Sequence, residues 1–171
     1  MDSKAVLEKM GVDVNFVDGE NLQTALHHAC MEDSQVDIAH LLIGVADIHA
    51  YNKYGWTPLH FASCRSAIFD GVVDKLFRTY RNDPNIVSRK GYCTLLMACA
   101  MCNKPDRCLM YLQHGAVVDE KDRSGKTALH FAENLNVYTV LLDYGADPNV
   151  QDCTGYTPLH RMLRYEKMNQ D

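Results

Sequence analysis

One four-residue pattern recurs along this 171-residue chain and constrains it more than any other feature. It appears as Thr24-Ala25-Leu26-His27, Thr57-Pro58-Leu59-His60, Thr127-Ala128-Leu129-His130 and Thr157-Pro158-Leu159-His160. An altered fifth copy, Cys93-Thr94-Leu95-Leu96, keeps its neighbours: Gly91-Tyr92 matches Gly55-Trp56, and Met97-Ala98 matches Phe61-Ala62. The leading positions 24, 57, 93, 127 and 157 are separated by 33, 36, 34 and 30 residues. Self-similarity at such a period signals stacked supersecondary units, none of which buries its apolar face alone. A second apolar segment and a turn follow each copy, most clearly from Val140 through Gly145-Ala146-Asp147-Pro148-Asn149. The stretch from Val6 to Asn15 has the character of this second half alone.

The residues suit helix pairs. Thr57 can cap a helix start, and Pro58 fits the first helical position, where its missing N–H removes nothing. Leu59 and Ala62 fall on one helical face. Gly115 and Gly145 suit the left-handed residue that ends a second helix, and Gly55, Gly91, Gly125 and Gly155 suit a turn of positive φ. With a T-P-L-H start and a G-A-D-x-N end recurring in register, the chain resembles the ankyrin-repeat family. That resemblance implies an all-α ankyrin-repeat solenoid with β-turn fingers and a single domain over residues 1–171. It divides into an N-terminal half repeat (1–17), four repeats (18–50, 51–87, 88–121, 122–151) and a C-terminal capping partial repeat (152–171), with a helix over Arg161 to Lys167. Leu22 stands where a finger glycine is expected, and Val45 and Arg81 where a helix-ending glycine is expected. The third full repeat departs from the signature Thr and His, the second has a longer middle from Ser63 to Asp70, and the fourth is short around Glu133 to Val137.

Composition narrows the function classes. With 17 Lys and Arg against 22 Asp and Glu, the net charge is -5, which gives no global reason to bind nucleic acid or an anionic membrane. No apolar run reaches the roughly 18 residues of a membrane helix, and the first residues show no signal-peptide pattern. The cytoplasm or nucleus is the expected compartment. The seven cysteines are then expected to be reduced thiols, mostly packed as small hydrophobes.

No P-loop, dinucleotide glycine fingerprint or nucleophile elbow is present. His27, His60, His130 and His160 recur at repeat spacing, which fits hydrogen bonding to turn backbone better than catalysis. Asp13, Asp47, Asp83, Asp119 and Asp147 recur at turns and are expected to organise turn backbone. Cys99 and Cys102 form a C-x-x-C whose sulfurs could meet a zinc ion on one helical face. Packing in the tight space between repeats is the competing reading, and no second such pair exists. No enzyme activity, cofactor or small-molecule substrate is expected.

Binding another protein is the remaining class. In the ankyrin family partners lie along the concave face made by finger tips and first helices. The residues that map there are Lys53, Tyr54, Trp56, Arg65, Arg89, Lys90, Tyr92, Met101, Arg123, Lys126, Leu135 and Tyr156. They combine a basic stripe, suited to an acidic partner patch, with aromatics of the kind that anchor interfaces. Small size and bare ankyrin content resemble the ankyrin subunit of a Ser/Thr protein kinase complex that controls embryonic cell cycles. That likeness implies a regulatory, activating role. Ankyrin-type inhibition of a cyclin-dependent kinase or of a Rel-type transcription factor is the alternative. A metal or redox role at Cys99 and Cys102 is a more distant one.

Overall fold

A computed structural model describes residues 11–81, 83–88 and 93–168, with side chains as far as Arg164. Two compact units divide the chain, Met1–Asn82 with Ser88–Lys90, and Asp83–Val87 with Gly91–Asp171. The first holds α1 (Ala25–Ala29), α2 (Val36–Leu42), α3 (Pro58–Ser63) and α4 (Asp70–Thr79). The second holds α5 (Leu95–Met101), α6 (Pro105–Gln113), a 3-10 turn (Ala128–Phe131), α7 (Leu135–Asp143) and α8 (Pro158–Met168). Among the described residues there is no strand, and β pairing is limited to the isolated bridges Val17–Thr24 and Val87–Thr94 at finger bases. The architecture is the all-α helix-pair repeat anticipated above.

The signature residues explain each helix start. Thr24 Oγ1 lies 2.9 Å from His27 Nδ1, and the Thr24 N–H donates to that same nitrogen at 3.1 Å. Thr57 with His60 and Thr127 with His130 repeat the arrangement. An Nδ1 that accepts from a backbone N–H carries no proton, so Nε2–H is the donor. His27 Nε2 accordingly donates to the Trp56 carbonyl at 3.1 Å, and His130 Nε2 to the Tyr156 carbonyl at 3.1 Å. Each histidine thereby closes its own helix and ties it to the next finger. Burial of these rings lowers the pKa of both His27 and His130 below 6.5, in keeping with a neutral imidazole.

The altered copy differs from its expected register. Thr94, not Cys93, caps α5, accepting from the Met97 N–H at 3.1 Å. The threonine is therefore retained one residue later, Met97 takes the histidine place, and Cys99 takes the place of Ala29, Ala62 and Ala132. All four of those small residues are buried. Leucines of the pattern, Leu26, Leu59 and Leu129, are fully buried together with Phe69, Leu76, Tyr111 and Leu141.

Leu22 adopts φ 55°, close to the 81°, 75° and 79° of Gly55, Gly125 and Gly155, so the finger geometry persists without glycine. Arg81 likewise takes φ 60° at a helix end. Val45 is not among the residues of positive φ; there the chain turns through hydrogen bonds from Val45 and Ala46 to the Leu42 carbonyl. The short fourth repeat reduces its first helix to the 3-10 turn. Asp13, Asp47, Asp83 and Asp147 each accept from the N–H two residues on, whereas Asp119 accepts from the Asp147 N–H of the next repeat.

Candidate partner-binding site

Among the described residues, one side chain caps each of four fingers. Asp18, Asn52, Asp122 and Asp152 stand at equivalent places and accept backbone N–H bonds from two finger residues further on. Asn52 Oδ1 accepts from Tyr54 at 3.0 Å and Trp56 at 2.9 Å, and Asp122 Oδ1 accepts from Ser124 and Lys126 at 2.8 Å. Neighbouring fingers are stitched by Lys53 N–H to the Asn21 carbonyl and, in the second unit, by Cys153 N–H to the Ser124 carbonyl, each at 2.8 Å. Finger backbone is thus fixed, while the side chains at the tips and on the first helices vary.

In the first unit those side chains form an apolar recess of about 500 Å³. Met31, Tyr54, Trp56 and Phe61 line it with Asn21, Gln23 and Asn52. The Trp56 and Phe61 ring centroids are 5.1 Å apart, and those of Trp56 and His60 are 5.7 Å apart. Trp56 is therefore half-buried against the first helix of its own repeat while one side remains on the recess. Lys53 Nζ sits 5.0 Å from the Tyr54 ring centre and donates to the Glu20 carbonyl at 3.1 Å. The Arg65 guanidinium donates to the Met31 carbonyl, so this predicted contact residue ties the ends of α1 and α3 together.

The second unit presents a recess of about 380 Å³ with different chemistry. Lys126, His130, Phe131, Glu133, Arg161 and Arg164 line it. Lys126 Nζ lies 5.5 Å from the Phe131 ring centre, and the Arg161 and Arg164 guanidinium carbons lie 5.2 and 6.0 Å from the Tyr156 ring centre. Asp152 is buried and paired with Arg161, whose Nε donates to Oδ2 at 2.9 Å. Burial opposes ionisation of Asp152, but bonds from the Thr154 hydroxyl and the Arg161 guanidinium outweigh it and hold the pKa well below the usual carboxylate range.

Lys53, Tyr54 and Trp56 therefore come together in one unit, and Lys126 and Tyr156 in the other. Arg123 is exposed on a finger, Met101 at the end of α5 and Leu135 at the start of α7, and none of them lines either recess. Arg89, Lys90 and Tyr92 lie outside the described residues. Gln23, Met31, Asn52 and Phe61 escaped the sequence reading because they serve as finger caps or first-helix residues, and only the fold shows that they border a recess. For the cysteines, Cys99 faces Cys108 of α6, sulfur to sulfur at 2.9 Å and fully buried. Cys30 and Cys93 are also buried, which pushes their thiols up to about 12, and Cys153 is exposed. Among the described residues no group of three or more His, Cys, Asp or Glu is placed to hold a metal ion.

Comparison with known proteins agrees with this geometry. The sequence profile of ankyrin repeats matches residues 3–68 and 64–152. The chain belongs to the ankyrin-repeat family. It is 33% identical over 118 residues to the transient receptor potential channel pyrexia of Drosophila melanogaster, covering 67% of this chain and 12% of that protein. It is 32% identical over 140 residues to neurogenic locus notch homolog protein 1 of Homo sapiens, covering 80% of this chain and 5% of that protein. A match to the NAD-dependent deacetylase sir2B of Dictyostelium discoideum is 24% identical over 200 residues, 92% of this chain and 25% of that protein. This ankyrin chain thus spans a quarter or less of these relatives, and what it shares with them is a protein–protein interaction module.

Proposed function

We propose that the chain is a non-catalytic subunit that joins a partner protein through its finger tips and first helices, in the cytoplasm or nucleus. The observation that carries this reading is the contrast between the recurring Asx cap of the described fingers and the variable side chains those fingers present. In each unit that variation yields a recess bordered by aromatics, which supply large contact area at little entropic cost. Arg89, Lys90 and Tyr92, at the intervening finger, extend the same set by sequence.

The partner we favour is a Ser/Thr protein kinase acting in the cell cycle, which the chain would help activate. Support comes from the ankyrin architecture, which resembles that of Plutonium, the ankyrin subunit of the PAN GU kinase complex. Purification of the tagged full chain from its native cells, followed by a kinase assay with and without added chain, tests the proposal. A stoichiometric kinase whose activity rises with the chain is the expected result. A cyclin-dependent kinase that loses activity, or a Rel-type factor that loses DNA binding, would replace activation with inhibition.

A further inference from the structure

The four described finger caps differ in one atom. Asp18 and Asp152 each use the second carboxylate oxygen on a first-helix side chain: Asp18 Oδ2 meets His28 Nε2 at 2.8 Å, and Asp152 Oδ2 meets Arg161. Asn52 keeps the same cap through Oδ1 but carries an N–H donor, Nδ2, where those fingers carry an acceptor. Because Oδ1 receives two backbone N–H groups, the amide cannot be flipped. Asn52 is only 5% exposed, and its Nδ2, closed to solvent, meets no acceptor among the described residues. Such a buried unsatisfied donor is uncommon in a native protein. Gln23, equally buried on the same wall, donates from Nε2 only to the Met31 sulfur at 3.3 Å, a weak acceptor. An apolar recess therefore carries two underused amide donors.

We propose that this recess binds an extended peptide segment of the partner protein, an uncharged apolar side chain filling the space between Trp56 and Met31 while a main-chain carbonyl accepts from Asn52 Nδ2. The assignment rests on the finger-side binding proposed above. Binding requires Tyr54, 58% exposed at the rim, to turn aside, because Nδ2 is closed to solvent in the free chain. A neutral acceptor is favoured over a carboxylate. The donors are amides rather than cations, and Asp18, Glu20 and Glu32 belong to the same finger and helix end as Gln23 and Met31. Lys53 already donates to the Glu20 carbonyl.

The test selects random peptides displayed on phage against the full chain, then measures each enriched peptide on three proteins: the native chain, Trp56→Ala and Asn52→Asp. Asn52→Asp preserves the Oδ1 cap, as Asp122 does in a finger followed by Phe131 in the place of Phe61, and a thermal melt verifies folding. Peptides with a shared apolar anchor and uncharged flanks are expected to need Trp56 and to lose about tenfold or more on Asn52→Asp. A peptide with its anchor amide replaced by an ester, a poorer acceptor, should lose affinity for the unmodified chain as well. Peptides that need Trp56 yet bind Asn52→Asp equally and ignore the ester overturn the hydrogen bond and leave finger-side binding standing. No peptide that depends on Trp56 overturns the proposal and its premise together.

Discussion

The two recesses are built on one scaffold and end in opposite chemistries. In each unit an Asx side chain caps the finger, a Thr–His pair starts the helix, and the histidine reaches the next finger. The chemistry changes at the residue before the signature threonine, at the first-helix residues that follow, and at the cap, where Asn52 carries an amide in place of a carboxylate. Trp56 with Phe61 makes an apolar, amide-lined wall. Lys126, with Arg161 and Arg164 around Tyr156, makes a cationic one. Folding and binding information thus fall mostly on different positions of the repeat, with Asn52 serving both through its two amide atoms.

The largest expected effect lies in the scaffold of the cationic side. Asp152→Ala removes three finger bonds, from the Thr154 N–H and hydroxyl and the Tyr156 N–H, and the Arg161 pair at a buried site. It should cost about 4 kcal/mol in a denaturant melt, at roughly 1 kcal/mol per lost interaction. Asn52→Ala, which removes two finger bonds and no ion pair, should cost less. Equal losses would break the distinction between a charged and a neutral cap. Trp56→Ala comes next, at about 2 kcal/mol, below the figure for a fully buried aromatic because one side of the ring is already open.

Salt should separate the recesses. An acidic peptide bound through Lys126 and Arg164 should weaken several-fold between low and physiological ionic strength, whereas a ligand in the Trp56 recess should hardly respond. Titrations at two salt concentrations decide it, and parallel responses would erase the contrast.

The smallest effect is shared. Burial lowers the pKa of His27 and His130 from 6.5, so the unfolded chain binds more protons below that value. Their contribution is complete above pH 6.5 and is lost as pH falls through the folded-state values. His27→Gln should flatten part of this slope in melts between pH 7 and pH 5. An unchanged slope would show that the capping histidines do not carry it.

Periodic residues were legible in the sequence because identical physical demands recur at each repeat: Thr57 and His60, Leu59, Gly55. The register of the third copy was misread because Cys93 aligned with the threonines by its neighbours, while the cap itself is set by backbone geometry at Thr94. Lys53, Tyr54, Trp56, Lys126 and Tyr156 were legible as variable finger positions. Asn52 and Gln23 were not, since their sequence role is to cap or flank a turn. Only folding shows which amide N–H is left without an acceptor. Arg65, mapped by sequence to the binding face, also ties neighbouring repeats together, since its guanidinium reaches the Met31 carbonyl one repeat earlier.

The central claim is that the finger and first-helix faces hold the partner. The most direct test is co-purification with the tagged full chain, native against a Trp56→Ala, Arg164→Glu double variant of verified folding, with the stoichiometry of bound protein measured by mass spectrometry. Loss of a stoichiometric partner from the variant is the predicted result. Retention of the same partner at the same stoichiometry would contradict the account.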